Sequence, residues 1–269
     1  MQYRRLLVPY PQFTSVSTEP QLIANSIYHG LQLIAEKRYS NGLQFLASYT
    51  WSKSIDNSSN ADQNITWLGS FDSLQDPNRP NLERSLSTFD IPHVFQLSYS
   101  YDLPIGHGRP FLGNMPRWAD LIIGGWKTNG VWRISAGRPL SFSVADGNPI
   151  PTYGDQRPNI VGTPKRNHGP DWVDNYFVDN TVFQRPDDFT LGNAPRALGN
   201  VRTPTSFTTS MSLGKQFQIR ETMNFEFRIE ADNALNHPVF GTPNTSVDDD
   251  NFGKVTYTSV GPRQVQLGM

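Results

Sequence analysis

Carboxylates and aromatic rings are the groups whose spacing in this sequence invites a chemical reading. Glu226 and Glu230 stand four residues apart with Arg228 between them. On a strand this puts both carboxylates on one face, the equipment of a glycoside hydrolase. The same alternation of sign lets the three charges satisfy one another on a polar wall, and on that reading no residue is catalytic. Asp248-Asp249-Asp250-Asn251 clusters oxygens of the kind Ca²⁺ takes. It lacks the spacing and glycine of an EF-hand and reads as a solvated acidic loop tip. Gly106-His107-Gly108-Arg109-Pro110 has a faint nest-like composition and serves equally well as a plain turn. The five histidines, His29, His93, His107, His168 and His237, show no zinc spacing. Cysteine is absent, which excludes disulfides, thiolate metal sites and thiol nucleophiles. Phosphate-loop, dinucleotide and nucleophile-elbow motifs are absent too. No metal and no cofactor is expected. Trp67, Phe71, Trp172, Tyr176, Phe177 and Phe183 are mixed with Asn and Asp in long loops, where they could contact an organic ligand. Packing among themselves is the alternative use of those rings.

The elements that position these groups are strands of period two. Ser26–Asp56 reads as two long strands joined at Asn41-Gly42, the dipeptide that tolerates a type I′ turn. Leu43, Phe45, Ala47, Tyr49 and Trp51 share one face of the second arm. On the first arm Leu31, Leu33 and Ala35 oppose Gln32, Glu36 and Arg38. The alternation returns at His93–Leu103, where Gln96 is on the polar side, and at Trp126–Val144, with Lys127 and Arg133 polar and Pro139 marking the end of regular pairing. It resumes at Ser206–Ile219, at Thr222–Ala234 and at Arg263–Met269. In Thr222–Ala234, Phe225, Phe227, Ile229 and Ala231 oppose Glu226, Arg228, Glu230 and Asp232. A short helix is expected at Arg117–Ile123 and a short strand at Lys254–Thr258. Seven main strands result, several about twice the usual length and long enough to cross a bilayer at a tilt.

The composition fits. Of 269 residues 36% are hydrophobic, and no apolar run is long enough for a membrane helix. Mean hydropathy is -0.50, which an alternating barrel with polar loops allows. A net charge of -1 gives no reason to expect nucleic acid. Long polar stretches (57–90, 145–205, 235–262) alternate strictly with short turns at Asn41-Gly42, 104–125 and Arg220-Glu221. Transmembrane barrels sort their connections this way, with short turns periplasmic and long loops outside. The polar faces, Gln32, Glu36, Arg38, Gln96, Lys127, Arg133, Glu226, Arg228, Glu230 and Asp232, would then line a lumen. Trp51, Trp126, Tyr99 and Tyr101 fall toward strand ends, where an aromatic girdle would sit.

A set of phrases in fixed order resembles the C-terminal barrel of TonB-dependent outer-membrane receptors, specifically the Oar-like group bearing a carboxypeptidase-regulatory-like domain. They are Pro9-Tyr10-Pro11-Gln12-Phe13, Tyr28-His29-Gly30-Leu31-Gln32, Ala47–Ser54, Arg84–Phe89 with Asp90-Ile91-Pro92-His93, and Gly192-Asn193-Ala194-Pro195-Arg196. Phe227–Asn236 with His237-Pro238, Asn251-Phe252-Gly253 and Pro262-Arg263-Gln264 complete the set. The resemblance spans nearly the whole chain. It implies an all-β, antiparallel, up-and-down transmembrane barrel portion in the outer membrane of a Gram-negative bacterium. Such receptors have a signal peptide, a plug and about 22 strands, so residues 1–269 would be the last part of a barrel, without plug or leader. The implied partners are outer-membrane lipid, the remainder of the receptor, and TonB in the full-length protein. The implied role is active uptake of a scarce solute. Rival readings are a soluble β-rich carbohydrate-binding module using the loop aromatics, and a glycosidase using Glu226 and Glu230.

Overall fold

The computed structural model describes Gln12 and residues 24–59, 75–76, 79–144, 156–220 and 223–269. In chain order the strands are β1 (Ser26–Ser40), β2 (Leu43–Asp56), β3 (Ser85–Leu86), β4 (His93–Asp102), β5 (Trp126–Ser135), β6 (Pro139–Leu140), β7 (Asn159–Ile160), β8 (Phe183–Gln184), β9 (Leu198–Arg202), β10 (Ser206–Arg220), β11 (Met223–Asp232) and β12 (Gln264–Gly268). Among the described residues one α-helix, α1, spans Arg117–Ile123.

The long strands follow from the period-two pattern, and their order follows from the turns. Asn41 and Gly42 take φ values of 53° and 78°, the left-handed pair a type I′ hairpin demands. They set β1 antiparallel to β2 with Leu31 opposite Trp51 and Gln32 opposite Thr50. The principal sheet runs β1-β2-β4-β5-β10-β11-β12, with the two-residue β3 also on β2. Every pairing in it is antiparallel. Among the described residues the sheet does not close, since β1 and β12 are its two ends. It is curled nonetheless: a hollow of about 940 Å³ is lined both by Glu36 and Arg38 of the first strand and by Gln264 and Gln266 of the last.

Register keeps the two faces distinct along the seven-strand path of the principal sheet. Apolar partners include Leu97 with Trp132, Phe217 with Phe225 and Ile229 with Leu267. Polar partners include Gln96 with Arg133 and Glu230 with Gln266. Tyr99 sits opposite Gly130 near mid-strand rather than at a strand end. Its ring covers that glycine so closely that a Cβ there would lie 2.5 Å from a ring carbon. Glycine is required at 130 for this approach.

The buried apolar residues lie elsewhere. Leu140, Phe142, Tyr176, Phe177, Phe183, Leu198, Val201 and Val255 form one cluster, contributed by the long connections and by no strand of the principal sheet. Several expectations change as a result. The strand expected over Trp126–Val144 stops at Ser135, and Pro139 opens β6, which pairs with β9 in a separate two-stranded sheet. The stretch 145–205, read as irregular, carries β7, β8, β9 and most of the core from residue 156 onward. The strand expected at Lys254–Thr258 is a single bridge between Phe240 and Thr258. Pro80–Glu83 forms a 3-10 turn within the polar stretch 57–90. Glu221 of the expected turn lies outside the described residues.

Candidate functional site: a polar concave wall beneath a braced cap

The polar wall is built by register. Ser100, Asn129, Ser212, Glu230 and Gln266 fall in one cross-strand row. Asn129 Nδ2 donates to Ser212 Oγ at 3.2 Å within it. Asp102 pairs with Lys127 and Gly214 with Lys127 and Arg228, leaving space in front of Arg228 where a side chain would otherwise stand. A second hollow, of about 590 Å³, is lined by Asp102, Lys127, Gln216, Glu226, Arg228 and Glu230. Both hollows are therefore on the polar face. Arg228 Nε is 3.0 Å from Glu230 Oε1, and Arg38 Nε is 3.9 Å from Glu36 Oε1. All four side chains are substantially exposed, so each pair is worth about 1 kcal/mol or less. Glu230 thus faces a guanidinium rather than a second carboxylate. Gln32 lies opposite Thr50 on the same face, and Gln96 opposite Arg133. Asp232 lies opposite Gln264 and Ser210. The ten polar-face residues expected from alternation are thus set on one wall.

The opposite face is apolar and open. Leu31, Leu33, Trp51, Val265 and Leu267 are each at least half exposed. A soluble carbohydrate-binding module would bury such a face against a second sheet. Among the described residues the other two sheets have only two strands each and lie in the connections. No described helix is long and apolar enough to cross a membrane, which leaves strands free to do so.

Above one end of the sheet the long connections fold into a cap. Here Tyr176, Phe177 and Phe183 are enclosed, at 0%, 2% and 4% exposure, and Trp172 packs against the same cluster. Phe183 stacks on Phe142 at 4.4 Å between ring centroids and meets Phe177 and Phe252 edge-on or tilted. The rings considered for ligand contact are therefore packed among themselves, because a cap without another core must bury its own aromatics. Trp67 and Phe71 lie outside the described residues. The Arg166 guanidinium carbon lies 5.4 Å from the Trp172 ring centroid and 5.1 Å from that of Tyr176, a cation–π arrangement. The Tyr176 hydroxyl donates to the Arg202 carbonyl. Burial pushes its pKa up to about 12, with Arg166 opposing the rise.

Among the described residues three arginine pairs with enclosed carboxylates brace the cap, and the order of residues along the chain did not single them out. Arg157 pairs with Glu83, and Glu83 also accepts from the Gln75 N–H at 3.0 Å. Arg196 pairs with Asp56 at the end of β2 and donates to the Glu83 carbonyl at 3.2 Å. Asp56 further accepts from Ser59 Oγ at 2.7 Å. Arg202 reaches Asp90 at 2.7 Å, and Asp90 accepts from the Ser54 N–H at 2.7 Å. All three carboxylates are nearly fully enclosed. A signal was present nonetheless, since Asp90 and Arg196 belong to two of the receptor-like phrases.

The acidic run is held by its own loop. Asp248 pairs with Arg185 at 3.0 Å. Asp249 accepts from the Asn251 N–H at 2.7 Å, and that bond, with help from Asn244, holds its carboxyl below the usual range. Among the described residues no group of three or more His, Asp or Glu is arranged to hold a metal ion.

A curled antiparallel sheet with one polar and one exposed apolar face, long enough to cross a bilayer, defines a β-barrel membrane protein. The family model described as an outer membrane beta barrel domain matches residues 2–266. The chain belongs to that family, and its place is the outer membrane, in contact with the lipid there. No curated protein and no solved structure matches the chain.

Proposed function

We propose that this chain serves as part of an outer-membrane receptor of the TonB-dependent type, taking up a scarce solute. Its polar strand faces line the lumen, and the capped connections form the extracellular surface that meets the solute first. The observation that carries this reading is the braced cap. A general diffusion pore gains little from a folded, arginine-stapled layer over its wall, whereas a receptor needs fixed loops to discriminate its ligand. The resemblance of the Ala47–Ser54, Asp90–His93 and Gly192–Arg196 phrases to receptor barrels supports the same role. The hairpin end is then periplasmic. No residue acts in catalysis, and Glu226, Arg228 and Glu230 serve as lumen-wall charges.

The test is energy dependence. Cells carrying the protein are grown under solute limitation, and uptake is compared before and after an uncoupler collapses the proton gradient. Receptor function requires that uptake by these cells, above that of a deletion strain, vanish with the gradient. Gradient-independent permeation, or solute-driven swelling of liposomes containing the protein alone, would make it a passive pore and defeat the proposal.

A further inference from the structure

The connection from β4 to β5 carries more apolar surface than a turn needs. Phe111, Leu112, Trp118, Leu121, Ile122 and Ile123 are all exposed. Trp118, Leu121 and Ile122 are spaced i, i+3, i+4 and so share one face of α1. Leu112 holds φ at 60°, a left-handed conformation that non-glycine residues rarely adopt. Its side chain, 60% exposed, is left without the protein packing that would normally offset such strain.

The helix is fastened to a defined side of the sheet. Lys215 stands in the apolar row, opposite Trp126 on β5 and Phe227 on β11. Its Nζ donates to the Asp120 and Leu121 carbonyls at 3.1 and 2.7 Å. Trp126 Nε1 donates to the Ile122 carbonyl at 2.9 Å. The last turn of α1 is thus pinned on the outer, apolar face at the hairpin end. The Asp120 carboxylate is turned back to the His107 N–H at 2.7 Å. Of the basic side chains of this connection, Arg109 lines the polar hollow, and Arg117, at the start of the helix, is exposed.

We propose that α1 and the turn before it form an interfacial anchor in the periplasmic leaflet of the outer membrane. The Trp118–Leu121–Ile122 face enters the acyl boundary, and Arg117 sits at the phosphate level. The inference rests on the barrel reading, because the helix is pinned at Trp126 and Lys215 on the face of β5 and β10 that this reading turns to lipid. A helix with a tryptophan, an apolar face and an arginine at its start suits that depth. Lys215 reaches the helix carbonyls rather than standing as an unpaired charge beside lipid.

Absence of cysteine makes the test clean. The full chain is reconstituted in phosphatidylethanolamine/phosphatidylglycerol vesicles as single-cysteine variants Leu121→Cys, Ile122→Cys, Asn114→Cys and Leu267→Cys, each carrying a nitroxide. Contact with oxygen and with a water-soluble nickel chelate is measured at each site. The anchor requires oxygen contact to exceed nickel contact severalfold at 121 and 122, as at the strand control 267, with the reverse at 114. Nickel access at 121 and 122 equal to that at 114 would overturn it, as would shielding from both reagents, the mark of a protein cover. Failure at 267 as well would instead overturn the barrel reading on which it rests. Trp118→Phe, with quenching of tryptophan emission by brominated lipid, probes the same contact without labelling: loss of a quenched component supports the anchor, and no change removes it.

Discussion

The cap and the sheet use the same amino acids for opposite ends. In the cap, phenylalanine, tyrosine and valine are enclosed and arginine is buried against carboxylates. In the sheet, leucine, tryptophan and valine point outward, while Arg38 and Arg228 sit in exposed pairs on the polar wall. The cap is therefore built like a soluble protein and is held by the hydrophobic effect. The sheet has little to hold in water, and its stability comes from ladder hydrogen bonds with lipid against its outer face. One chain thus contains two solvents' worth of design.

The contrast between cap and sheet is most exposed at the braces. Arg196→Met leaves Asp56 enclosed without its partner and is expected to cost about 3–5 kcal/mol. The loss should be confined to the cap, read as faster hydrogen exchange and protease cutting in residues 156–202 while β4, β5 and β10 stay protected. The double variant Arg196→Met/Asp56→Leu should recover most of it. Next is the outer face. Ile229→Arg puts a charge against lipid and should cost about 2–4 kcal/mol, whereas Glu230→Arg, one residue along, should be near neutral. Folded yield by heat-modifiable gel migration distinguishes them, and equal effects would erase the two-faced sheet.

The third test is pH. Tyr176 has a folded pKa of about 12, above its ordinary 10, so the unfolded cap releases this proton first. Stability contributed by the neutral phenol is complete below about pH 10 and falls as pH rises toward 12, by roughly 2–3 kcal/mol in all. Tyr176→Phe should flatten that decline, followed by cap proteolysis against pH. Smallest is the hairpin: Gly42→Ala, at φ 78° with a Cβ 3.2 Å from the Asp102 carbonyl, should cost about 1–2 kcal/mol. It should slow folding of the sheet and leave the cap untouched.

Period-two alternation made the sheet legible in the sequence, because side-chain direction on a strand is a local property. Glu226 to Asp232 and Phe225 to Ala231 could be sorted without any tertiary knowledge. Asn41-Gly42 announced its turn for the same reason, and α1 falls on Arg117–Ile123 as expected. The cap was not legible. Its core joins Phe142, Phe183 and Val255 over more than a hundred residues, and its braces join Asp56 to Arg196 across 140 positions. Pro, Gly, Asn and Asp dominate the intervening sequence, so no period marks what is buried. For Tyr176 and Phe177 the sequence therefore left ligand contact and packing within the loops as alternatives, and in the structure both are core.

The central claim is that one face of the sheet meets lipid and the other water. A cysteine scan of β11 in outer-membrane vesicles, labelled with a membrane-impermeant maleimide, tests it most directly. A period of two is expected: Asn224, Glu226, Arg228, Glu230 and Asp232 modified, and Phe225, Phe227, Ile229 and Ala231 protected. Uniform labelling along the strand, or modification of the apolar set alone, would contradict it.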